Sequence, residues 1–156
     1  MAKTNRDRVA EGLTLLVKGM QPFVEREMKQ VYSDRWKDQV AEAITPPEGA
    51  VPKKVNWEDP QTILNVLWFR WNEVFRNTLG PAERSLTSEL RGVRNKWAHM
   101  ENFSTDDTYR ALDSVGRLLT AVSAREADEI EKKKMDLLRL RFDEQRRSEA
   151  RRTAPV

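Results

Sequence analysis

Apolar residues recur at intervals of three and four along most of the chain, the spacing that places side chains on one face of an α-helix. The first such run covers residues 6–32 and contains Pro22. Because proline has no N–H to donate and clashes with the preceding turn, the pattern predicts two helices, or one bent helix, meeting near residues 19–22. Residues 34–44 predict a short helical continuation.

Proline and glycine mark the next boundaries. Residues 45–58 lack periodicity and are rich in proline, which predicts the main internal loop. Asp59 followed by Pro60 is typical of a helix start. The dipeptide Gly80-Pro81 predicts the end of that helix, with the glycine in a left-handed cap.

Three further helices are predicted over residues 81–99, from 104 to about 123, and from about 125 to 150. No alternating strand pattern occurs, so the sequence predicts an all-α fold, a compact bundle of five or six helices. We assign residues 1–150 to one helical domain. Residues 151–156, where the apolar pattern has faded, are assigned to a C-terminal tail or linker.

Composition narrows the possible chemistry. The chain has 156 residues and no cysteine, which suits one domain and excludes disulfides, thiolate metal sites and a cysteine nucleophile. No apolar run approaches the roughly 20 residues of a membrane span, so we expect no membrane contact and a cytoplasmic location. The net charge of +3 predicts only weak attraction to nucleic acid. There is no glycine-rich phosphate loop, and we expect no cofactor.

The only histidine, His99, lies at the end of the predicted helix 81–99. A metal site with several histidines within one chain is therefore excluded, and no metal is expected. With Leu86 set at zero and about 100° per residue, each residue of the apolar stripe of this helix falls within about 40° of zero. Asn95 and His99 fall at about 180° and 220°, and Arg94 at about 80°. The histidine is therefore predicted on a polar face beside an amide, with a guanidinium on the shoulder of the helix.

An imidazole can donate or accept a proton near neutral pH, and an arginine fork can bind phosphate. Such a set suits cleavage of RNA by its own 2′-hydroxyl, which needs a proton shuttle and a charge clamp. A symmetric dimer would supply the second histidine that a shuttle requires. The same helix offers Arg84, Arg91 and Lys96 as RNA contacts. The alternative stays open that His99 is merely solvated or interacts with the last carbonyls of its helix.

The segment 94–99, with the sequence Arg-Asn-Lys-Trp-Ala-His, resembles the signature of the HEPN superfamily, an arginine and a histidine separated by four to six residues. The continuation 103–113 and the early segment 21–27 are similar to the same family. The resemblance is to the branch found in a eukaryotic mRNA-surveillance endoribonuclease and at the N-terminus of bacterial ATPase proteins linked to phage defence. It covers roughly residues 8–150.

The resemblance implies a helical bundle that dimerises with two motifs facing one cleft and, in active members, metal-independent endoribonuclease activity. It implies His99 as general acid and base, Arg94 as phosphate clamp and Asn95 as the residue that orients or polarises. The expected partners are RNA, a second copy of the chain and an ATPase region of a longer protein. A catalytically silent dimerisation or regulatory module of such a protein, or a domain that binds nucleic acid without cleaving it, stays open.

Overall fold

The computed structural model describes residues 2–48 and 51–154, and within these ranges all regular structure is helical. The all-α bundle of five or six helices is therefore confirmed. Two single turns of 3₁₀-helix cover Ser33–Arg35 and Phe75–Asn77. Residues 49–50 of the predicted loop and 155–156 of the predicted tail lie outside the described residues. The described α-helices are α1 (Asn5–Tyr32), α2 (Trp36–Ile44), α3 (Pro60–Phe69), α4 (Pro81–Ala98), α5 (Thr105–Ala121) and α6 (Glu126–Thr153).

Helix α1 is the centre of the bundle and contacts each of the other five described helices. Helix α5 packs between α4 and α6, while α4 lies between α3 and α5. The core is one cluster of aliphatic and aromatic side chains, and each fully buried one stabilises the fold by about 1.5–3 kcal/mol. Helix α4 contacts α1, α3 and α5, and the part of its surface that these helices leave uncovered stays open to solvent.

Helix α1 runs unbroken through Pro22, so the prediction of two separate helices is wrong. Its first turn is closed by a capping box, in which the Thr4 hydroxyl accepts from the Asp7 N–H and the Asp7 carboxylate accepts from the Thr4 N–H. Met20 and Val24, on either side of the proline, are fully buried. Burial of both turns in one core offsets the single hydrogen bond that proline removes.

Helix α3 ends at Phe69, earlier than the predicted end at Gly80. The chain then continues in irregular turns, in which the Arg76 N–H bonds the carbonyl five residues back, at Trp71. Trp71 and Phe75 follow Ile63 and Leu67 at four-residue spacing, which predicts burial on the same side, and both are nevertheless buried. The left-handed cap at Gly80 is also wrong: this residue is extended, with φ −107° and ψ −179°, and is the N-cap of α4.

Helices α1 and α5 approach each other closely at Gly19. A methyl group on Gly19 would overlap the Leu119 side chain and lie 3.2 Å from the Cβ of Ala124. The absence of a side chain therefore allows the two backbones to pack together here.

Helix α6 ends at Thr153, three residues beyond the predicted end. Ile130 and Leu137 anchor it in the core, whereas the side chains of residues 143–154 are exposed. The assignment of residues 151–156 to a tail or linker stays a prediction. No helix in the described ranges combines the length and apolar character needed to cross a membrane.

Candidate functional site

The outward face of α4 is a narrow strip of exposed residues between α3 and α5. We call it the outer strip of α4, and it consists of Ser85, Ser88, Gly92, Asn95 and His99. On the opposite side of the helix Leu90 is fully buried, while Val93 and Trp97 are half-buried against the core. The predicted polar face and the predicted apolar stripe of this helix are therefore both present.

His99 is the C-cap of α4, one residue past the last helical position. Its backbone N–H still bonds the Asn95 carbonyl at 3.0 Å, so the two residues lie one turn apart on the outer strip. Both side chains are exposed. The next residue, Met100, has φ 60°, which turns the chain away from the helix axis and toward α5. The imidazole is thus held at the end of a helix and open to solvent.

The turn that carries His99 is braced by the first residues of α1. The Arg6 guanidinium donates to the carbonyls of Trp97 and Glu101, each at 3.0 Å, and lies 5.6 Å from the centre of the Trp97 ring. The Asn5 amide donates to the Phe103 carbonyl at 3.0 Å. These contacts tie the last turn of α4 and the connection to α5 to the start of α1. Sequence reasoning missed this brace, because nothing in the local pattern near Arg6 indicates a contact more than ninety residues away.

Arg94 lies on the flank of α4 that faces α3. Its Nη2 donates to Asp59 Oδ2 at 3.1 Å, and its side chain keeps 20% of its exposure. The other carboxylate oxygen of Asp59 accepts from the Gln61 N–H at 2.9 Å, which caps α3. Sequence reasoning identified Asp59 as a cap but not as a partner of the motif arginine. One aspartate therefore fixes both the start of α3 and the guanidinium of Arg94.

The three predicted RNA contacts lie on two different flanks of the outer strip. Arg84 and Arg91 turn toward α3, where their guanidinium groups lie 5.0 and 5.3 Å from the centre of the Trp68 ring. Burial lowers the pKa of the Arg91 guanidinium below its ordinary value, although an arginine stays charged at neutral pH. Lys96 turns toward α5, where its ammonium is 3.5 Å from Asp107. The structure therefore does not gather these three cations into one patch beside His99.

The arrangement joins an open imidazole and an amide on one face with a partly buried guanidinium on the flank. This set can move a proton and bind an anion. Within residues 2–48 and 51–154 no three His, Cys, Asp or Glu side chains come together as a metal site. One chain supplies a single imidazole, so a reaction that needs both an acid and a base requires a second group.

A comparison with protein families identifies one match. The family profile described as Swt1-like HEPN matches residues 11–123, a range that begins within α1, ends just after α5 and includes the whole segment from Arg94 to His99. No curated protein and no solved structure gave a significant match.

Proposed function

This chain belongs to the Swt1-like HEPN family, and from that premise we propose that it is a metal-independent endoribonuclease domain, with a site formed by two copies of Arg94, Asn95 and His99. Family membership supports an RNase-type or regulatory role. The observation that carries the cleavage proposal is the exposed imidazole at the braced end of α4. A histidine in that position can reach a substrate without any rearrangement of the core.

In the proposed reaction the ribose 2′-oxygen attacks the adjacent phosphorus, and the bond to the 5′-oxygen of the next nucleotide breaks. One His99 accepts the 2′-hydroxyl proton while a second His99, from the partner subunit, gives a proton to the leaving oxygen. The products are a 2′,3′-cyclic phosphate and a 5′-hydroxyl. Arg94 stabilises the negative charge on the phosphate, and Asn95 orients the neighbouring imidazole.

Dimerisation through the outer strip of α4 would bring the two imidazoles together. The strip contains small residues, and a side chain added at Gly92 would meet no atom of its own chain within 4 Å. A second helix can therefore approach closely along this face. A two-fold axis close to the His99 end of the strip would place each copy of His99 near the other without a new segment of chain.

The test uses purified protein, labelled single-stranded RNA and EDTA. We expect fragments ending in a 2′,3′-cyclic phosphate from the wild type and none from His99→Ala. Ser148→Ala, an exposed change on α6 away from the strip, serves as the matched control and should cleave normally. Cleavage that survives in His99→Ala, or that depends on a divalent cation, would contradict the assigned mechanism. Sedimentation equilibrium should show a dimer for all three proteins.

A second candidate is a catalytically silent dimerisation or regulatory module. It is favoured by the ion pair between Arg94 and Asp59, which already occupies part of the proposed phosphate clamp. Asp59→Asn keeps the helix cap, since asparagine caps as well as aspartate, but removes the charge that holds the arginine. If both wild type and Asp59→Asn dimerise and neither cleaves RNA, the module is the better description.

The wider role we propose is in defence or RNA surveillance in the cytoplasm, with an ATPase region of a longer chain as a further partner. The family match supports this context only through the resemblance to such proteins. Comparing phage plating on bacteria that express the longer protein with intact His99 or His99→Ala would test it. Equal plating on both would remove the link between cleavage and defence.

A further inference from the structure

A groove of about 630 Å³ lies on the α3 flank of α4, between the end of α2, the chain that follows it, and α3. We call it the α2–α4 groove. Its volume is typical of clefts that hold small organic ligands, about 300–1,000 Å³. Its lining includes Lys53, Gln61, Asn65, Phe69, Arg70 and Arg91.

An alternating stack of guanidinium groups and aromatic rings leads into this groove. Trp68 has Arg84 at 5.0 Å and Arg91 at 5.3 Å from its ring centre, and Arg91 in turn lies 5.1 Å from the centre of the Phe69 ring. Phe69 ends the stack with 49% of its surface exposed. An aromatic ring left half in water at the edge of a cleft is available for stacking by a planar ligand.

The groove has more positive than negative charge. Three cations line it, and the only carboxylate of its lining belongs to Glu42. Glu42 lies 3.8 Å from Arg70 Nη2 and is 71% exposed, so it holds that guanidinium loosely. The Nε of Arg70 is buried and has no hydrogen-bond partner among the described residues. Arg91 is positioned by a 3.1 Å bond from its Nε to the Asn65 side chain, and among the residues described no carboxylate lies within 4.0 Å of it.

The groove adjoins the segment 94–99, which contains the proposed catalytic residues. A small adjoining cavity is lined by Arg94 and Asn95 and shares Gln61, Asn65 and Arg91 with the groove. An anionic strand bound at Arg94 could therefore extend directly along α3 to Phe69.

We propose that the α2–α4 groove is an RNA subsite that takes one unpaired nucleotide next to the scissile phosphate, with the base stacked on Phe69 and its phosphate bound by Arg70 and Arg91. This inference rests on the proposed function, because it assigns the substrate of that same site. Stacking on an exposed ring requires an unpaired base. The side-chain amides of Gln61 and Asn65 can form hydrogen bonds with the edges of that base. The subsite therefore selects single-stranded RNA over a duplex at this position.

The experiment measures binding by fluorescence anisotropy in the His99→Ala background, so that the RNA stays intact. The probes are a labelled single-stranded oligoribonucleotide, the corresponding duplex, and an abasic oligomer of the same length. Phe69→Ala removes one base–aromatic stack, so it is expected to weaken binding of the single-stranded oligoribonucleotide on the order of tenfold. Its effect on binding of the abasic oligomer should be small. Arg70→Gln should weaken both single-stranded probes and reduce their salt dependence.

Phe142→Ala is the matched control. Phe142 is 59% exposed on α6 and also has an arginine, Arg146, 6.0 Å from its ring centre. It therefore has the same chemistry at a site away from α4, and its loss should leave RNA affinity unchanged. Thermal unfolding should show both phenylalanine variants folded, since each ring is about half exposed.

The possible outcomes distinguish the proposal of an RNA subsite from the proposal of RNA cleavage. If Phe69→Ala binds RNA as tightly as Phe142→Ala, or weakens the abasic oligomer equally, the subsite is overturned whatever the cleavage result. It is also overturned if no RNA binds. If binding depends on Phe69 but the wild type never cleaves, the subsite stands and the cleavage proposal fails. With both correct, Phe69→Ala raises KM and leaves kcat near the wild-type value, whereas His99→Ala abolishes kcat.

Discussion

Replacing Arg6 by glutamine would test whether the start of α1 holds the turn that carries His99. Glutamine keeps a polar side chain on α1 but is too short to reach the carbonyls of Trp97 and Glu101 as the guanidinium does. It also removes the positive charge above the Trp97 ring. The substitution therefore acts on the end of α4 while leaving the core intact.

The expected loss can be worked from the contacts. A hydrogen bond from a charged donor contributes about 1.5–3 kcal/mol when shielded and less when water can replace it. The bond to Trp97 is partly buried and the bond to Glu101 is exposed, so the first dominates. The cation–π contact adds about 0.5–1 kcal/mol at most. Since water can rebind the freed carbonyls, we expect a net loss of about 1–2 kcal/mol.

Urea unfolding and hydrogen exchange measure the two parts of this effect. The unfolding midpoint should fall, and the backbone amides of residues 99–103 should exchange about tenfold faster for each 1.4 kcal/mol lost locally. Arg26→Gln is the control, because Arg26 lies on the same helix over the Phe23 ring, at 5.7 Å, and is 66% exposed. If Arg6→Gln changes neither quantity more than Arg26→Gln does, the brace has no energetic role.

Two further predictions concern stability. Gly19→Ala should lower the free energy of unfolding by about 1–2 kcal/mol through crowding against α5. Gly92→Ala, with open space around it in the single chain, should raise the free energy of unfolding of the monomer by up to about 1 kcal/mol through helix propensity. Equal urea midpoints, measured at concentrations where the protein is monomeric, would contradict this. Burial acts to raise the pKa of Asp113, but hydrogen bonds from Lys134 and Arg117 outweigh it and hold the pKa below its ordinary value of 3.8. That stabilisation is present at neutral pH and is lost as pH falls through the lowered pKa. In Asp113→Asn the free energy of unfolding should therefore fall less steeply below about pH 4 than in the wild type. The same dependence of stability on pH in both proteins below about pH 4 would refute this.

Much of the helical layout could be predicted because its signals are local. Asp59 and Ser104 cap α3 and α5 as their side chains suggest. The polar face of α4 could also be predicted, since helical periodicity alone places Asn95 and His99 away from Leu90. These features depend on neighbours within one turn or two, and a linear pattern contains that information.

Elements whose form depends on tertiary packing could not be predicted in the same way. The sequence around Pro22 indicates the local free-energy cost of a proline inside a helix. It does not indicate that residues on both sides of the proline are buried, which offsets that cost. The pattern after Phe69 correctly marks Trp71 and Phe75 as buried, yet it cannot show that the hydrogen bonds there depart from the α-helical spacing. Periodicity reports which face is inward and says little about the winding of the backbone.

The contacts of the candidate site were the least predictable part. Asp59 is 35 residues from Arg94, and Arg6 is 91 residues from Trp97. Each is a polar residue whose local role, capping or solvation, would be a sufficient explanation in sequence. Only the packing of α1 and α3 beside α4 gives them partners. The residue types of the site could therefore be predicted, but their supporting contacts could not.

The outer strip of α4 also bears on how such a domain can diversify. Ser85, Ser88 and Gly92 have exposed side-chain positions, and the core on the far side of the helix depends on other residues. In the proposed dimer, mutations along the strip would therefore change the interface while the folding equilibrium of the single chain stays nearly constant. The choice of binding partner and the stability of the fold can then change independently of each other. A mutational library confined to these positions should yield mostly folded proteins with altered assembly.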